Sequence, residues 1–130
     1  MDLGLNNRRA IVLGGTKGIG LSVAKMLLKE GAQVAVGSRD IDNIHKAVRE
    51  LKEYGDVIGF QVDLTKNYLK DLHWVVEKLK YLDILVINSG GPAKARLSDV
   101  TEKQWKDGIN MLLFSALRGI RWAAEMMKER

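Results

Sequence analysis

One stretch decides the fold of this chain: Ala10-Ile-Val-Leu-Gly-Gly-Thr-Lys-Gly-Ile-Gly20. Its apolar first part predicts a buried strand, its glycines predict a tight loop, and the apolar spacing over residues 21–30 predicts a helix. Only glycine lets a backbone approach a dinucleotide diphosphate closely, and the amides at a helix N-terminus attract negative charge. The stretch therefore predicts a site for a nucleotide coenzyme, the alternative being a glycine turn that only reverses the chain.

Three further apolar runs rich in Val and Ile follow, each separated from the next by a helical pattern. The predicted strands cover residues 10–13, 33–37, 57–62 and 84–87, and the predicted helices cover residues 18–30, 42–53, 65–80 and 101–129. Near-continuous apolar strands that alternate with helices indicate a parallel sheet buried on both faces, with right-handed crossovers. We predict an α/β fold, a Rossmann-like three-layer α/β/α domain over residues 1–130, with strand order 3-2-1-4.

Capping residues locate several helix ends. Asp42 and Thr65 are candidate N-caps of the second and third helices. Thr101, with a glutamine three residues later, has the spacing of a capping box and is predicted to begin the last helix. Gly31 and Gly55 stand just past two helix ends, where glycine commonly stops a helix.

Composition excludes several classes of protein. The 130 residues include no cysteine, and His45 and His73 lie too far apart for a local metal clip, so no metal site is predicted. No apolar run approaches the ~20 residues that cross a membrane, and the N-terminus lacks a signal-peptide layout. The net charge is +5, but the 21 Lys and Arg residues are scattered among 16 acidic residues and form no basic run. Nucleic-acid binding is therefore the weakest hypothesis. We expect a soluble, cytoplasmic protein.

The segment after the second strand favours a phosphorylated coenzyme. A carboxylate at this strand end would accept hydrogen bonds from free ribose hydroxyls and repel phosphate, but the strand ends in Gly37-Ser38-Arg39. Arg39 offers a planar fork to a phosphate, Ser38 offers a hydroxyl, and Lys17 offers a second cation. These groups favour NADP over NAD, unless the two cations are merely solvated surface charges.

Two more segments follow the third and fourth strands. Asp63 is placed either to accept a hydrogen bond from an adenine amino group or to cap the helix near Thr65. The fourth strand ends in Asn88-Ser89-Gly90-Gly91-Pro92, whose small residues either let a flat ring or a ribose lie against the backbone or form a plain loop.

The last predicted helix, residues 101–129, is apolar around much of its circumference. A helix packed on one side of a sheet shows an apolar stripe of ~100° or somewhat more, so the greater width indicates two buried faces. The fourth strand, as the last one, would also be a bare sheet edge. We predict a homo-oligomer formed through this helix and the fourth-strand edge, the alternative being a long core helix with a few exposed apolar residues. The apolar residues are Trp105, Ile109, Met111, Leu112, Leu113, Ala116, Leu117, Ile120, Trp122, Ala123, Met126 and Met127.

Together these motifs resemble the short-chain dehydrogenase/reductase family, and in compact form they are similar to 3-oxoacyl-[acyl-carrier-protein] reductases. The family's TGxxxGxG loop matches residues 13–20, with Leu13 in place of threonine, and its NNAG segment falls on residues 87–90, with two of four positions changed. The resemblance covers the chain as roughly the N-terminal half of a family member. Motifs and resemblance together predict one coenzyme-binding set: Gly14, Thr16, Lys17, Gly18, Ile19, Gly20, Ser38, Arg39, Asp63, Leu64, Asn88, Ser89 and Gly90.

The resemblance also implies a reaction. The family passes a hydride between a nicotinamide and a carbonyl or alcohol, using a tyrosine with a lysine four residues later. Its helix asparagine, which helps to hold a proton-relay water, falls on Asn110, which could equally be a polar residue at a helix edge. Tyr54, Tyr68 and Tyr81 are each followed four residues later by an aliphatic residue, so the chain lacks the YxxxK pair.

Two main hypotheses follow. In the first, the chain is the NADP(H)-binding portion of an oxidoreductase, truncated relative to the full domain and inactive alone. In the second, it is a standalone nucleotide-binding, regulatory or assembly module without catalysis.

Overall fold

Strands and helices alternate along the chain in the computed structural model, which describes residues 1–91 and 94–128. A π-helical turn, Asn110–Phe114, joins the last two helices, and single 3₁₀ turns cover Lys52–Tyr54 and Leu97–Asp99. The regular elements are β1 (Arg9–Leu13), α1 (Gly18–Lys29), β2 (Gln33–Ser38), α2 (Ile41–Leu51), β3 (Val57–Gln61), α3 (Leu69–Leu79), β4 (Ile84–Ile87), α4 (Glu102–Ile109) and α5 (Ser115–Met127).

The four strands form one parallel sheet in the order β3-β2-β1-β4. Ala10 of β1 pairs with Val34 of β2 on one side and with Ile84 of β4 on the other, and Val34 pairs with Val57 of β3. The predicted α/β class and strand order are confirmed. Because the order reverses between β1 and β4, a crevice opens at the carboxyl ends of these two strands.

The sheet is buried on both faces, as the continuous apolar strands predict. Ile11 and Leu13 point into a cluster with α3 and α5, whereas Val12 and Val34 belong to a second cluster with α1 and α2. Each large side chain removed from water in these clusters stabilises the fold by about 1.5–3 kcal/mol. The two clusters make the three-layer arrangement stable and hold the strand ends rigidly.

The predicted N-cap of the second helix was wrong by two residues. Asp40, not Asp42, caps α2: its carboxylate accepts from the backbone amide of Asp42 at 2.9 Å and from that of Asn43 at 3.1 Å. Asp40 has the extended backbone that an N-cap requires, and Asp42 already lies in the first helical turn.

The third helix also begins later than predicted. It starts at Leu69 rather than at Thr65, and its N-cap position is Tyr68. Thr65 lies instead in a turn, where the amide of Lys66 donates to the carbonyl of Asp63 at 3.1 Å. Gly31 follows α1 with φ +91°, the left-handed backbone expected of a C-terminal stop.

The capping box at the start of the last helix is confirmed. The amide of Gln104 donates to the Thr101 hydroxyl at 3.1 Å, and the Thr101 amide donates to the Gln104 side chain at 2.9 Å. The single helix predicted over residues 101–129 is corrected, because the π-helical turn interrupts it. Glu129, like Pro92, lies outside the described residues.

One face of the last helical segment is uncovered. α5 buries Ser115, Gly119, Trp122 and Ala123, whereas seven apolar side chains on α4, the π-helical turn and α5 remain between 45% and 55% exposed. We call these seven the apolar helix surface: Trp105, Ile109, Leu112, Leu113, Phe114, Leu117 and Ile120. In the described part of the chain, no helix has the length and apolar character needed to cross a membrane.

Candidate functional site

A cavity of about 710 Å³ opens at the carboxyl ends of the strands. It brings together the segments that follow all four strands, together with one residue of the π-helical turn. The lining residues are Gly14, Thr16, Lys17, Gly37, Ser38, Arg39, Asp40, Asn43, Val62, Asp63, Leu64, Thr65, Asn88, Ser89, Gly90, Gly91 and Met111.

The glycine loop is held against the sheet by its backbone. The amides of Gly14 and Gly15 donate to the carbonyl of Gly37 at 2.9 and 3.3 Å, and Gly14 has φ +67°. A Cβ at Gly14 would collide with the backbone of Asn88, and one at Gly20 would collide with the carbonyl of Gly14. The loop therefore accepts no side chain at these positions, and α1 starts directly against the ends of the strands.

Asn88 braces this loop from the fourth strand. Its side-chain amide donates to the carbonyl of Gly14 at 3.2 Å, and its backbone amide donates to the carbonyl of Leu13 at 3.2 Å. Asn88 therefore both lines the cavity and fixes the glycine loop beside β4.

The N-terminus of α1 supplies positive electrostatic potential. Its N-cap residue is Lys17, whose ammonium group cannot accept hydrogen bonds from the amides of the first turn. The helix dipole and the Lys17 charge therefore act in the same direction. Gly18, Ile19 and Gly20 form the first turn but do not line the cavity, and the Ile19 side chain is 76% exposed.

The corner after β2 contains both signs of charge. Ser38 and exposed Arg39 line the cavity as predicted, and the Gln61 side chain donates to the carbonyl of Arg39 at 2.9 Å. The sequence prediction missed Asp40 and Asn43, which line the same corner. Asp40 follows Arg39 directly and lies two residues beyond the end of β2, where an acid on the strand end itself was expected. Its carboxylate already accepts hydrogen bonds from the backbone amides of Asp42 and Asn43 at the start of α2.

Asp63 caps its own turn rather than a helix. One carboxylate oxygen accepts from the Thr65 hydroxyl at 2.6 Å and from the Thr65 amide at 3.0 Å. These bonds, the hydroxyl first, lower the pKa of Asp63 below its ordinary value of 3.8. The cavity wall therefore carries an ionised acceptor, flanked by Leu64.

Asn110 does not line the cavity. Its side-chain oxygen accepts from the Arg118 guanidinium at 3.3 Å, and the neighbouring Met111 reaches the cavity instead. Met111 could not be singled out from the sequence, because it belongs to an apolar run in which every residue suits a helix. Residues 1–91 and 94–128 bring no three His, Asp or Glu side chains together as a metal site would.

Fold and site together define a Rossmann-like α/β domain with a glycine-lined cavity at the point where its strand order reverses. A family model described as short chain dehydrogenase matches residues 8–130. The chain belongs to the short-chain dehydrogenase family.

Known proteins of this kind are similar over nearly the whole chain. The uncharacterized oxidoreductase YvrD of Bacillus subtilis (strain 168) is 35% identical over 124 residues, 93% of this chain and 46% of that protein. L-Sorbose reductase from Gluconobacter frateurii, solved with NADPH and L-sorbose, is 30% identical with a TM-score of 0.87, covering 100% of this chain and 51% of that one. RhlG from Pseudomonas aeruginosa, solved as an NADP complex, is 29% identical with a TM-score of 0.87. The match covers 96% of this chain and 50% of RhlG. The chain thus spans about half the length of these proteins.

Proposed function

We propose that this chain binds NADP(H) and forms the coenzyme-binding portion of an oxidoreductase that transfers hydride between the nicotinamide and a carbonyl or alcohol. The observation that carries the proposal is the cavity itself, which unites the glycine loop, the Ser38-Arg39 corner, Asp63 and the segment 88–90. Two structural relatives, L-sorbose reductase and RhlG, were solved with NADPH and NADP, and nearly all of this chain aligns with each.

The residues that line the cavity suit a dinucleotide that lies across the strand ends in one orientation. The backbone at Gly14 and Thr16, next to the α1 N-terminus, would hold the diphosphate, because both residues line the cavity and the absent Cβ at Gly14 lets the loop pack against Asn88. Asp63 and Leu64 would hold the adenine, and the segment 88–90 would hold the nicotinamide ribose. The bound coenzyme supplies or accepts the hydride.

The preference for NADP over NAD is part of the proposal. Ser38, Arg39 and Lys17 all line the cavity, and together they could donate hydrogen bonds to an adenosine phosphate from a hydroxyl, a guanidinium group and an ammonium group. Asp40 opposes this with negative charge in the same corner. Its carboxylate is stabilised where it stands by the two amides at the start of α2, so we assign it to the helix cap and not to the ribose.

These 130 residues lack the tyrosine–lysine pair that transfers the proton in the family. None of the three tyrosines has a lysine four residues later, the arrangement that lowers the pKa of a catalytic tyrosine in the family. We therefore propose that hydride transfer requires a YxxxK segment from outside this sequence, and that the chain by itself binds coenzyme without turnover. As substrate we propose a 3-oxoacyl group or a similar carbonyl, on the resemblance alone.

Coenzyme titration with an activity assay tests this proposal. We expect NADPH to bind the purified chain with micromolar affinity, followed by NADPH fluorescence, and NADH to bind more weakly. Carbonyl reduction is expected only after addition of a family segment that carries YxxxK. Binding without activity in both cases would favour the standalone module instead, and failure to bind either coenzyme would contradict the proposal.

We also propose that a second copy of the chain covers the apolar helix surface. The support is its size and composition: seven large apolar side chains, each about half exposed, lie on α4, the π-helical turn and α5. The outer side of β4, whose residues are only partly buried, would belong to the same interface. The cytoplasmic location remains a prediction.

A further inference from the structure

Two hydroxyl side chains support the π-helical turn between α4 and α5. The amide of Ser115 donates to the carbonyl of Asn110, five residues back, instead of to that of Met111. The Met111 carbonyl accepts the Ser115 hydroxyl in its place. Ser115, which is 1% exposed, thus replaces the backbone bond that the wider turn removes.

The second hydroxyl comes from Tyr68, the N-cap residue of α3. Tyr68, 1% exposed, donates its hydroxyl proton to the carbonyl of Ser115, and the amide of Gly119 donates to the same hydroxyl oxygen. Tyr68 therefore contacts two backbone groups of α5 that lie four residues, about one helical turn, apart. A Cβ at Gly119 would lie 2.6 Å from the tyrosine oxygen, which is why only glycine leaves room for this contact.

This contact connects two walls of the cavity. Tyr68 stands three residues after Thr65, and the segment 63–65 forms one wall. Met111, whose carbonyl accepts the Ser115 hydroxyl, lines the cavity from the π-helical turn. Two hydrogen bonds, from Tyr68 to Ser115 and from Ser115 to Met111, therefore connect the chain just after segment 63–65, the proposed adenine site, with the π-helical turn.

We propose that Tyr68 is a positioning residue of the coenzyme site: its hydroxyl fixes the π-helical turn and thereby sets where Met111 and Asn110 stand relative to the glycine loop. The expected effect on coenzyme binding rests on the proposed function, but the hydroxyl contact itself can be tested without coenzyme. A neutral hydroxyl is required, because only the neutral group donates to Ser115 while it accepts from Gly119.

The first test uses the methionine methyl groups as reporters in the coenzyme-free chain. With ¹³C-methyl methionine, Tyr68→Phe is expected to shift the Met111 signal and to leave the signal of Met26, on α1, in place. Tyr54→Phe is the matched control, since it removes a tyrosine hydroxyl in the 3₁₀ turn after α2, and it should leave the Met111 signal in place. A folded Tyr68→Phe variant with an unchanged Met111 signal would overturn the proposal.

The second test is a double-mutant cycle with Gly119→Ala. In the parent chain the added methyl group displaces the Tyr68 hydroxyl, so we expect a lower Tm and a shifted Met111 signal. In the Tyr68→Phe background that methyl group has room, and alanine is the better helix former, so the same substitution should raise Tm. An equal change of Tm in both backgrounds would refute the contact. If Tyr68→Phe does not fold, the Met111 signal in Gly119→Ala alone decides.

Coenzyme affinity then separates this inference from the proposed function. We expect Tyr68→Phe to weaken NADPH binding about fivefold, the loss that one hydrogen bond typically accounts for, whereas Tyr54→Phe should not change it. NADPH binding that is equal in Tyr68→Phe and the parent contradicts the positioning role alone. A parent chain that binds no NADPH contradicts the proposed function, while the methyl signals still report on the contact.

Discussion

In the proposed coenzyme site, the choice between NADP and NAD depends on Arg39 and Lys17. Arg39 is exposed and its backbone is fixed by Gln61, so its guanidinium is available to a ligand, while Lys17 stands at the N-cap of α1. Replacing both by Ala is expected to weaken NADPH binding about 10- to 100-fold, as the loss of charge-assisted hydrogen bonds implies. NADH, which lacks the extra phosphate, should lose far less, and parallel titrations measure both.

The control for this prediction removes the same two charges elsewhere. Arg49 and Lys52, at the C-terminal end of α2, lie outside the cavity and are exposed. Their double Ala variant should bind NADPH like the parent. Equal losses of NADPH and NADH affinity in the Arg39 and Lys17 variant would refute the phosphate role.

Tyr68 gives the chain a specific response to alkaline pH. Burial raises the pKa of Tyr68 above its ordinary value of 10.0, an effect that the Gly119 amide and the Arg118 charge only partly oppose. A folded-state pKa above the unfolded one contributes stability that is complete below pH 10 and is lost as the pH rises through the folded-state pKa. Urea unfolding followed from pH 8 to 11 should show this loss in the parent and a smaller one in Tyr68→Phe. Identical pH profiles would contradict the assignment.

At the residue scale the sequence indicated Lys17, Ser38, Arg39, Asp63 and Asn88, and all five line the cavity. They follow strand ends, which a parallel sheet gathers at one edge. Asp40 and Met111 were missed for different reasons. Asp40 belongs to a cap whose register was read two residues late, and Met111 reaches the cavity through a backbone irregularity that side-chain types do not signal.

The helical elements differ in how much of their stability comes from capping and how much comes from packing. The capping box at Thr101 satisfies amides that α4 cannot bond internally, and α4 buries little besides Gly108. Thr101→Ala is therefore expected to lower the free energy of unfolding by about 1 kcal/mol. Ser98→Ala, in the exposed 3₁₀ turn just before, is the control and should change it by less than about 0.5 kcal/mol in the same urea titration. A loss equal to that of the control would contradict the capping role.

The start of α3 and the π-helical turn were beyond reach of the sequence for physical reasons. Thr65 is a good capping residue, but Asp63 takes its amide and hydroxyl into a local turn, which delays the helix to Leu69. The run Asn110–Phe114 suits an α-helix residue by residue. Its π-helical form depends on Tyr68, a residue distant in sequence, whose hydroxyl meets the helix at Ser115.

At the scale of the whole molecule, the four strands and their order could be predicted because continuous apolar runs report burial on both faces. What covers the last helix could not be predicted, since an apolar pattern shows that a surface is suited to burial without showing what buries it. We expect the chain to elute as a homo-oligomer in size-exclusion chromatography with light scattering. Leu113→Asp combined with Ile120→Asp should yield the monomer mass of 14.5 kDa.

The matched control places one charge on an equally exposed apolar side chain of the opposite layer. Met26, on α1, is 54% exposed, and Met26→Asp should leave the oligomer intact. A parent chain that is monomeric at micromolar concentration would disprove assembly through the apolar helix surface.

The most direct test of the central claim is an NADPH titration of the ¹⁵N-labelled chain followed by backbone amide spectra. The coenzyme site proposed here predicts saturable shifts at residues 14–20, 38–39, 63–64 and 88–90, around the cavity of about 710 Å³. Amides beside the second groove, of about 410 Å³ and lined by Arg49 and Phe60, should not move. An unchanged spectrum at saturating NADPH, or shifts confined to that second groove, would contradict the claim.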